Sequence, residues 1–213
     1  MSIDTTTNPL AVGKTPPSMD PAVPRGRLLI AMAESIAEKG FGDTVVADVV
    51  RLARVSRRTF YEHFSDREDC FLALCDATTS WIVDLIDEAV DPEDAWHDQT
   101  ARAIDVYIGV FTSQPSLTRS FLFEIYSTGE RGVRQHRKVQ RRFAEQLFTL
   151  AANVRKRHPE LNPVSFHTAS AIIAGVGELA MLAIEDGTAD GVTKLRSVAI
   201  ELVGDVLTAP RKT

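Results

Sequence analysis

Cysteine is nearly absent from the 213 residues: there are two, Cys70 and Cys75, on what reads as one helix. Their spacing is neither a CxxC pair nor a disulfide framework. Long apolar runs are missing as well. No stretch of about 18 uninterrupted apolar residues occurs, so no membrane span is expected. The first thirty residues carry no apolar run after a basic start, so no signal peptide is expected and a soluble, cytoplasmic protein is the default. The histidines, His63, His97, His136, His158 and His167, have no metal-ligand spacing with one another or with cysteine. GxSxG, HExxH, P-loop and dinucleotide fingerprints are all lacking. There is thus no positive case for catalysis, a metal or a cofactor, and the chain is not expected to be an enzyme. A net charge of -5 argues against a protein that is basic all over, but leaves room for a local basic surface.

Apolar positions recur at helical spacing, and no strand alternation competes with them. An all-α fold of about nine helices follows. Residues 1–24 hold Pro9, Pro16, Pro17, Pro21 and Pro24, which forbid a continuous helix, and read as a flexible tail. A nucleic-acid-touching arm with Lys14 or Arg25 is the alternative. From Arg25, Leu28, Leu29, Met32 and Ile36 form one stripe, and Gly40 stops that first helix. Asp43 and Thr44 offer cap oxygens for a second helix with the stripe Val46, Val49, Val50 and Ala53. After the turn Arg54-Val55-Ser56, with Ser56 as cap, a third helix buries Phe60 and Phe64. Ser65 or Asp66 caps a long fourth helix to about Val90. Five more follow, near residues 94–112, 115–127, 130–157, 164–185 and 193–207. The expected division is a tail at 1–24, a first helical domain at 25–72 and a second at 73–213.

Two short helices joined by a three-residue turn have helix-turn-helix spacing, in which the second helix enters the major groove. With Phe60 and Phe64 inward, Arg57, Arg58, Thr59, Tyr61 and His63 remain outside. Arginine can grip a guanine edge in bidentate fashion, and hydroxyl or ring donors suit phosphates. Between Arg51 and Arg67 stand five arginines and two acids, Glu62 and Asp66, which is +3 on a short segment. By spacing alone, a helical hairpin with a solvated basic face fits equally well.

The stretch from Leu28 to Leu74 resembles the N-terminal domain of the tetracycline-repressor (TetR) family. "AEKGF" (37–41), Thr44 and "ARVSRRTFYEHFSDRED" (53–69) carry the likeness. The family pattern over the last segment is roughly A-G-V-S-x-x-T-hydrophobic-Y-x-H-F-x-x-K. The resemblance implies a transcriptional regulator, most simply a repressor. It would bind a palindromic double-stranded operator as a homodimer and be released by an unknown small, apolar effector. It places Thr44, Ser56, Arg57, Arg58, Thr59, Tyr61, His63 and Arg67 at the DNA, with Arg67 standing where the family usually has lysine. It implies an effector cavity to which Trp81, Tyr107, Phe111, Phe123 and Phe148 would contribute. It also implies that the last two helices pair with those of a second copy, through Ile172, Gly175, Val176, Leu179, Val198, Leu202 and Val206. A plain core is the alternative for those helices, as it is for most of the aromatics. The basic run Arg131, Arg134, Arg137, Lys138, Arg141 and Arg142 reads as a solvated face, with an anion site as the second reading.

Three departures stand out. Arg54 occupies the usual turn glycine, where a left-handed backbone would carry about 1 kcal/mol of strain. Arg58 replaces a small residue and adds a possible contact. Val45 and Ala47 lack the hydroxyl or basic groups of many relatives, which moves base reading onto Arg57 and Arg58. Two other classes stay open: a helical carrier that has lost DNA binding, and an unrecognised helical enzyme.

Overall fold

The computed structural model describes residues 16–186 and 189–210, and within them there is no strand. The helices are α1 (Pro24–Asp43), α2 (Val46–Ala53), α3 (Arg57–His63), α4 (Arg67–Ala89), α5 (Trp96–Ser113), α6 (Pro115–Leu122), α7 (Glu130–Arg157), α8 (Phe166–Asp186) and α9 (Ala189–Thr208). Short 3-10 turns occupy Pro17–Met19 and Glu124–Thr128. The chain forms two compact units. Among the described residues, one takes in 16–81 together with Ser113–Val139; the other takes in Ile82–Thr112 and the described residues from Gln140 on. α4 and α7 therefore each run from one unit into the other.

The first unit is built on the stripes read from the sequence. Leu28, Leu29, Met32 and Ile36 of α1 meet Val49 of α2, Phe60 of α3, and Phe71 and Leu74 of α4, all with no exposed surface. Each such side chain contributes roughly 1.5–3 kcal/mol on leaving water. Phe41 stacks on Phe71 with centroids 4.1 Å apart, and Phe121 approaches Phe71 at 5.8 Å. Leu117 and Ile125, far along the chain, close the same core. Gly40 interrupts α1 at φ 79°, and the Phe41 N–H freed by that break donates to Glu124 Oε2 at 3.0 Å. A buried N–H without a partner is costly, so the α6 segment completes the end of α1.

The last part of the expected tail packs. Met19 is buried in the first core, and Pro24 opens α1 as its first residue. A Cβ on Gly26 would lie 2.0 Å from the Asp20 carbonyl oxygen, so glycine lets residues 16–23 sit directly on α1. Residues 1–15, with Lys14, lie outside the described residues.

The second unit joins α5, α8, α9, most of α7 and the last turns of α4. Arg196 of α9 grips Asp105 of α5 through both carboxylate oxygens. Asn162 donates its backbone N–H to the Leu207 carbonyl at 2.7 Å and its side-chain amide to Ala209, also at 2.7 Å. These bonds satisfy the last carbonyls of α9. By length and composition alone α8 is apolar enough to cross a membrane. Its Ile172, Ile173 and Val176 are instead buried inside this unit.

Candidate nucleic-acid interface

The turn between α2 and α3 is a Schellman motif. The Val55 N–H donates to the Val50 carbonyl at 3.1 Å, and the Arg54 N–H to Arg51 at 3.3 Å. Arg54 sits at φ 53°, ψ 46°, so the left-handed residue that this turn demands is an arginine. Ser56 then caps α3, its Oγ accepting the Thr59 N–H at 3.0 Å, and the two hydroxyls meet at 2.9 Å. Phe60 is fully buried and Phe64 nearly so, which fixes the roll of α3. That roll leaves Arg57, Arg58, Tyr61 and His63 exposed, with Tyr61 at 58%. Arg58 pairs with Glu62 one turn on at 3.1 Å, yet its side chain is 89% exposed. An exposed pair of this kind stabilises by at most about 1 kcal/mol and yields readily to a phosphate or base.

Two residues expected at DNA are turned inward. Thr44 is fully buried; its hydroxyl donates to the Gly40 carbonyl at 2.8 Å and meets Ser35 Oγ at 3.0 Å. Nor does it cap α2. Val45 takes the cap position, and the capping work comes from Asp48, which accepts the Val45 N–H at 3.1 Å and pairs with Lys39 at 2.5 Å. Lys39 is the main reason the Asp48 carboxyl is held below its ordinary range. Arg67 is the second case. Its Nη1 collects the carbonyls of Phe41, Gly42 and Thr44, the last at 2.8 Å, while the guanidinium lies 4.3 Å over the Phe41 ring. A cation on the final carbonyls of α1 is a helix C-cap, so Arg67 fastens α4 to α1 rather than offering a free charge.

Two acids hold this head together, Asp66, one of the two residues expected to cap α4, and Glu124, which the sequence did not single out. Asp66 caps α4, accepting the Asp69 N–H at 2.7 Å, and takes a bidentate pair from Arg131 at 3.0 and 2.7 Å. That guanidinium, foremost among its neighbours, keeps the Asp66 carboxyl below its ordinary range. Glu124 accepts from both Phe41 and Ser120. Neither contact has a local signature, since the partners stand 65 and 83 residues apart in sequence. The rest of the basic run is largely paired on the surface, Arg134 with Glu130, Lys138 with Asp76 and Arg141 with Glu145.

The profile of the family described as "Bacterial regulatory proteins, tetR family" matches residues 28–74, the segment from α1 into α4 that builds this head. That segment thus carries the signature of the TetR family of transcriptional regulators. It is 32% identical over 88 residues to the transcriptional regulator AcuR of Cereibacter sphaeroides, a match spanning 35% of this chain and 40% of that protein. Its fold is similar to that of Bacillus subtilis FadR, solved in complex with stearoyl-CoA (TM-score 0.71, 15% identity, 85% of this chain and 98% of that one). It is similar as well to regulatory protein TetR from Rhodobacter sphaeroides (TM-score 0.67, 18% identity, 83% and 96%).

The second unit carries two adjoining, partly open apolar pockets of about 60 and 50 Å³. Of the aromatics expected around an effector, Tyr107 lines the larger one, where burial pushes its phenol up. Trp81 and Phe123 belong to the other unit and line neither cavity. Phe148 is 41% exposed, because it stands one residue, about 100° of helix, beyond the lining Leu147. The Phe111 side chain lies outside the described residues. Of the residues expected between two copies, Ile172 and Val176 face the larger cavity instead. Gly175 and Val198 are exposed, and Leu179, Leu202 and Val206 are half-buried, so these five lie toward the surface of α8 and α9.

Proposed function

We propose that this chain is a ligand-responsive repressor that holds a palindromic operator as a homodimer and lets it go when a small apolar molecule fills its second unit. The observation that carries the reading is the roll of α3. Its aromatic side is locked into a sealed core while Arg57, Arg58, Tyr61 and His63 project outward. Arg57 and Arg58 read base edges; Tyr61, His63, Ser56 and Thr59 stand where phosphates pass. Arg51 and Arg54, both exposed, add charge beside them.

One seven-residue helix reads too few bases for useful specificity, and a two-fold dimer doubles the site. The apolar and small residues Gly175, Leu179, Leu182, Val198, Leu202 and Val206, left toward the surface of α8 and α9, supply the face for a second copy. In the dimer the two α3 helices stand about 34–36 Å apart, one turn of DNA. The effector acts by preferring a dimer with another spacing, and its effect is limited to its differential affinity for the two forms. α4 and α7, which run through both units, carry the change. The Bacillus subtilis FadR structure, with its stearoyl-CoA, is an instance of this fold holding an acyl compound.

The test is a gel shift on DNA flanking the chain's own gene, at low salt, with wild type and the Arg57→Ala/Arg58→Ala double variant. Wild type binds. The double variant loses on the order of a hundredfold, from about 1–3 kcal/mol for each base contact. Raising the salt weakens wild type steeply as phosphate contacts are lost. Failure of wild type to bind at low salt would favour a carrier or an enzyme over a regulator.

A further inference from the structure

Among the described residues, Arg54 is the one residue other than glycine with a left-handed backbone, at φ 53° and ψ 46°. The turn between α2 and α3 needs that shape, but glycine supplies it without strain. The bonds that close the turn come from the Val55 and Arg54 backbone N–H groups and ask nothing of a side chain. The guanidinium has no role inside the protein either. It is exposed, and no acid or carbonyl among the described residues receives it. Strained residues of this kind concentrate where a protein touches something else.

The surrounding charge is uncompensated as well. Arg51, Arg54, Arg57 and Arg58 fall within eight residues. Arg58 pairs with Glu62, Arg51 comes no nearer than 3.9 Å to Asp48, and Arg57 has no acidic partner among the described residues. The first turn of α3 carries no acid, so Arg57 and Arg58 also oppose its helix dipole. Elsewhere in the same unit cations are engaged: Lys39 by Asp48, Arg131 by Asp66, and Arg67 by the carbonyls that end α1. Arg67, the cation expected at DNA beyond α3, is thus withdrawn, while Arg54 stands free two residues ahead of the Ser56 cap.

We propose that Arg54 grips a phosphate of the DNA backbone at the rim of the major groove, a contact that reads no sequence. The inference rests on the regulator reading above and adds a residue to it. In a helix-turn-helix the first helix crosses the backbone and the second enters the groove, so the turn between them passes over the rim. A guanidinium placed there meets phosphate oxygens with paired N–H donors. Stability is given up in the turn, and affinity for the duplex is gained.

The probes are DNA flanking the chain's own gene and a random-sequence duplex of equal length, bound by the full chain over a series of salt concentrations. One phosphate contact steepens the slope of log affinity against log salt by about 0.9 for each copy of the chain bound. With 1 M salt as the point where the contact contributes nothing, Arg54→Gly binds about eightfold more weakly per copy at 0.1 M, and equally so on both duplexes. The same variant resists denaturant better than wild type, so the loss is not one of folding. Arg54→Asn, neutral but tolerant of a left-handed backbone, matches Arg54→Gly, and Arg54→Lys, which keeps the charge, holds the wild-type slope. Lys156→Ala removes the same charge from the second unit and leaves affinity and slope unchanged. A wild-type slope in Arg54→Gly, a loss confined to the flanking DNA, or an equal loss in Arg54→Lys overturns the contact. If wild type binds and Arg54→Gly is unchanged, this contact alone is sunk. If wild type binds neither duplex at low salt, the regulator reading is sunk and the contact with it.

Discussion

The two units solve the same packing problem with opposite results. In the first, large rings close the centre: Phe41, Phe60 and Phe71 are at most 1% exposed and interlock with Leu28, Leu29 and Met32. In the second, α5, α7, α8 and α9 meet mostly through aliphatic side chains around the Tyr107–Phe143 pair, and space is left between them. Protein interiors are normally filled to the density of organic crystals, so the space in the second unit departs from the usual packing. The contrast suits the proposed roles. A head that reads DNA must hold α3 in one orientation, whereas a ligand unit must admit something.

The contrast can be broken or sharpened by substitution. The largest effect is expected for Phe71→Ala, which removes a ring stacked on Phe41 inside the sealed core. Denaturant unfolding should show a loss of about 3–5 kcal/mol, and a loss below about 1 kcal/mol would mean the first core is not tight. The sharper comparison adds the same bulk to each unit. Ala31→Leu forces a branched side chain into a residue that is 1% exposed, and should cost about 1–3 kcal/mol. Ala103→Leu points the same bulk at the shared wall of the two pockets, and should be neutral or stabilising. Equal losses at the two positions would erase the distinction between the units.

Two smaller effects test the head itself. Arg54→Gly relieves the left-handed arginine and should raise stability by about 1 kcal/mol in the same measurement, while removing a charge near the DNA. Asp66→Asn keeps a side chain able to cap α4 but discards the pair with Arg131. Both partners are about two-fifths exposed, so the loss at neutral pH should stay below about 1 kcal/mol. The sign with pH follows from the depressed carboxyl. The stability is present above the unfolded value near 3.9 and is lost as pH falls through the lower folded value. Wild type and variant should therefore differ at pH 7 and converge below about pH 4. A gap that persists in acid would assign the effect to packing rather than charge.

What the sequence determined by itself is the local machinery of the head. Helical spacing put Val49, Ala53, Phe60 and Phe64 on inner faces, Ser56 announced the start of α3, and the arginine in the turn raised the question of a left-handed residue. These depend on neighbours within a few positions, where helix period and capping chemistry operate. Contacts between the end of one element and the side chains of others were left to the tertiary structure. Thr44 turns inward because Ser35 and the Gly40 carbonyl receive it, and Arg67 is spent on the carbonyls that end α1. Leu117, Ile125 and Glu124 join the first core from beyond residue 113, so the head has more chain in it than its motif. The two pockets of the second unit, too, are lined mainly by aliphatic side chains rather than by the aromatics that looked most conspicuous. Hydrophobic burial has no direction of its own, and which apolar faces meet is decided only when all the helices are assembled.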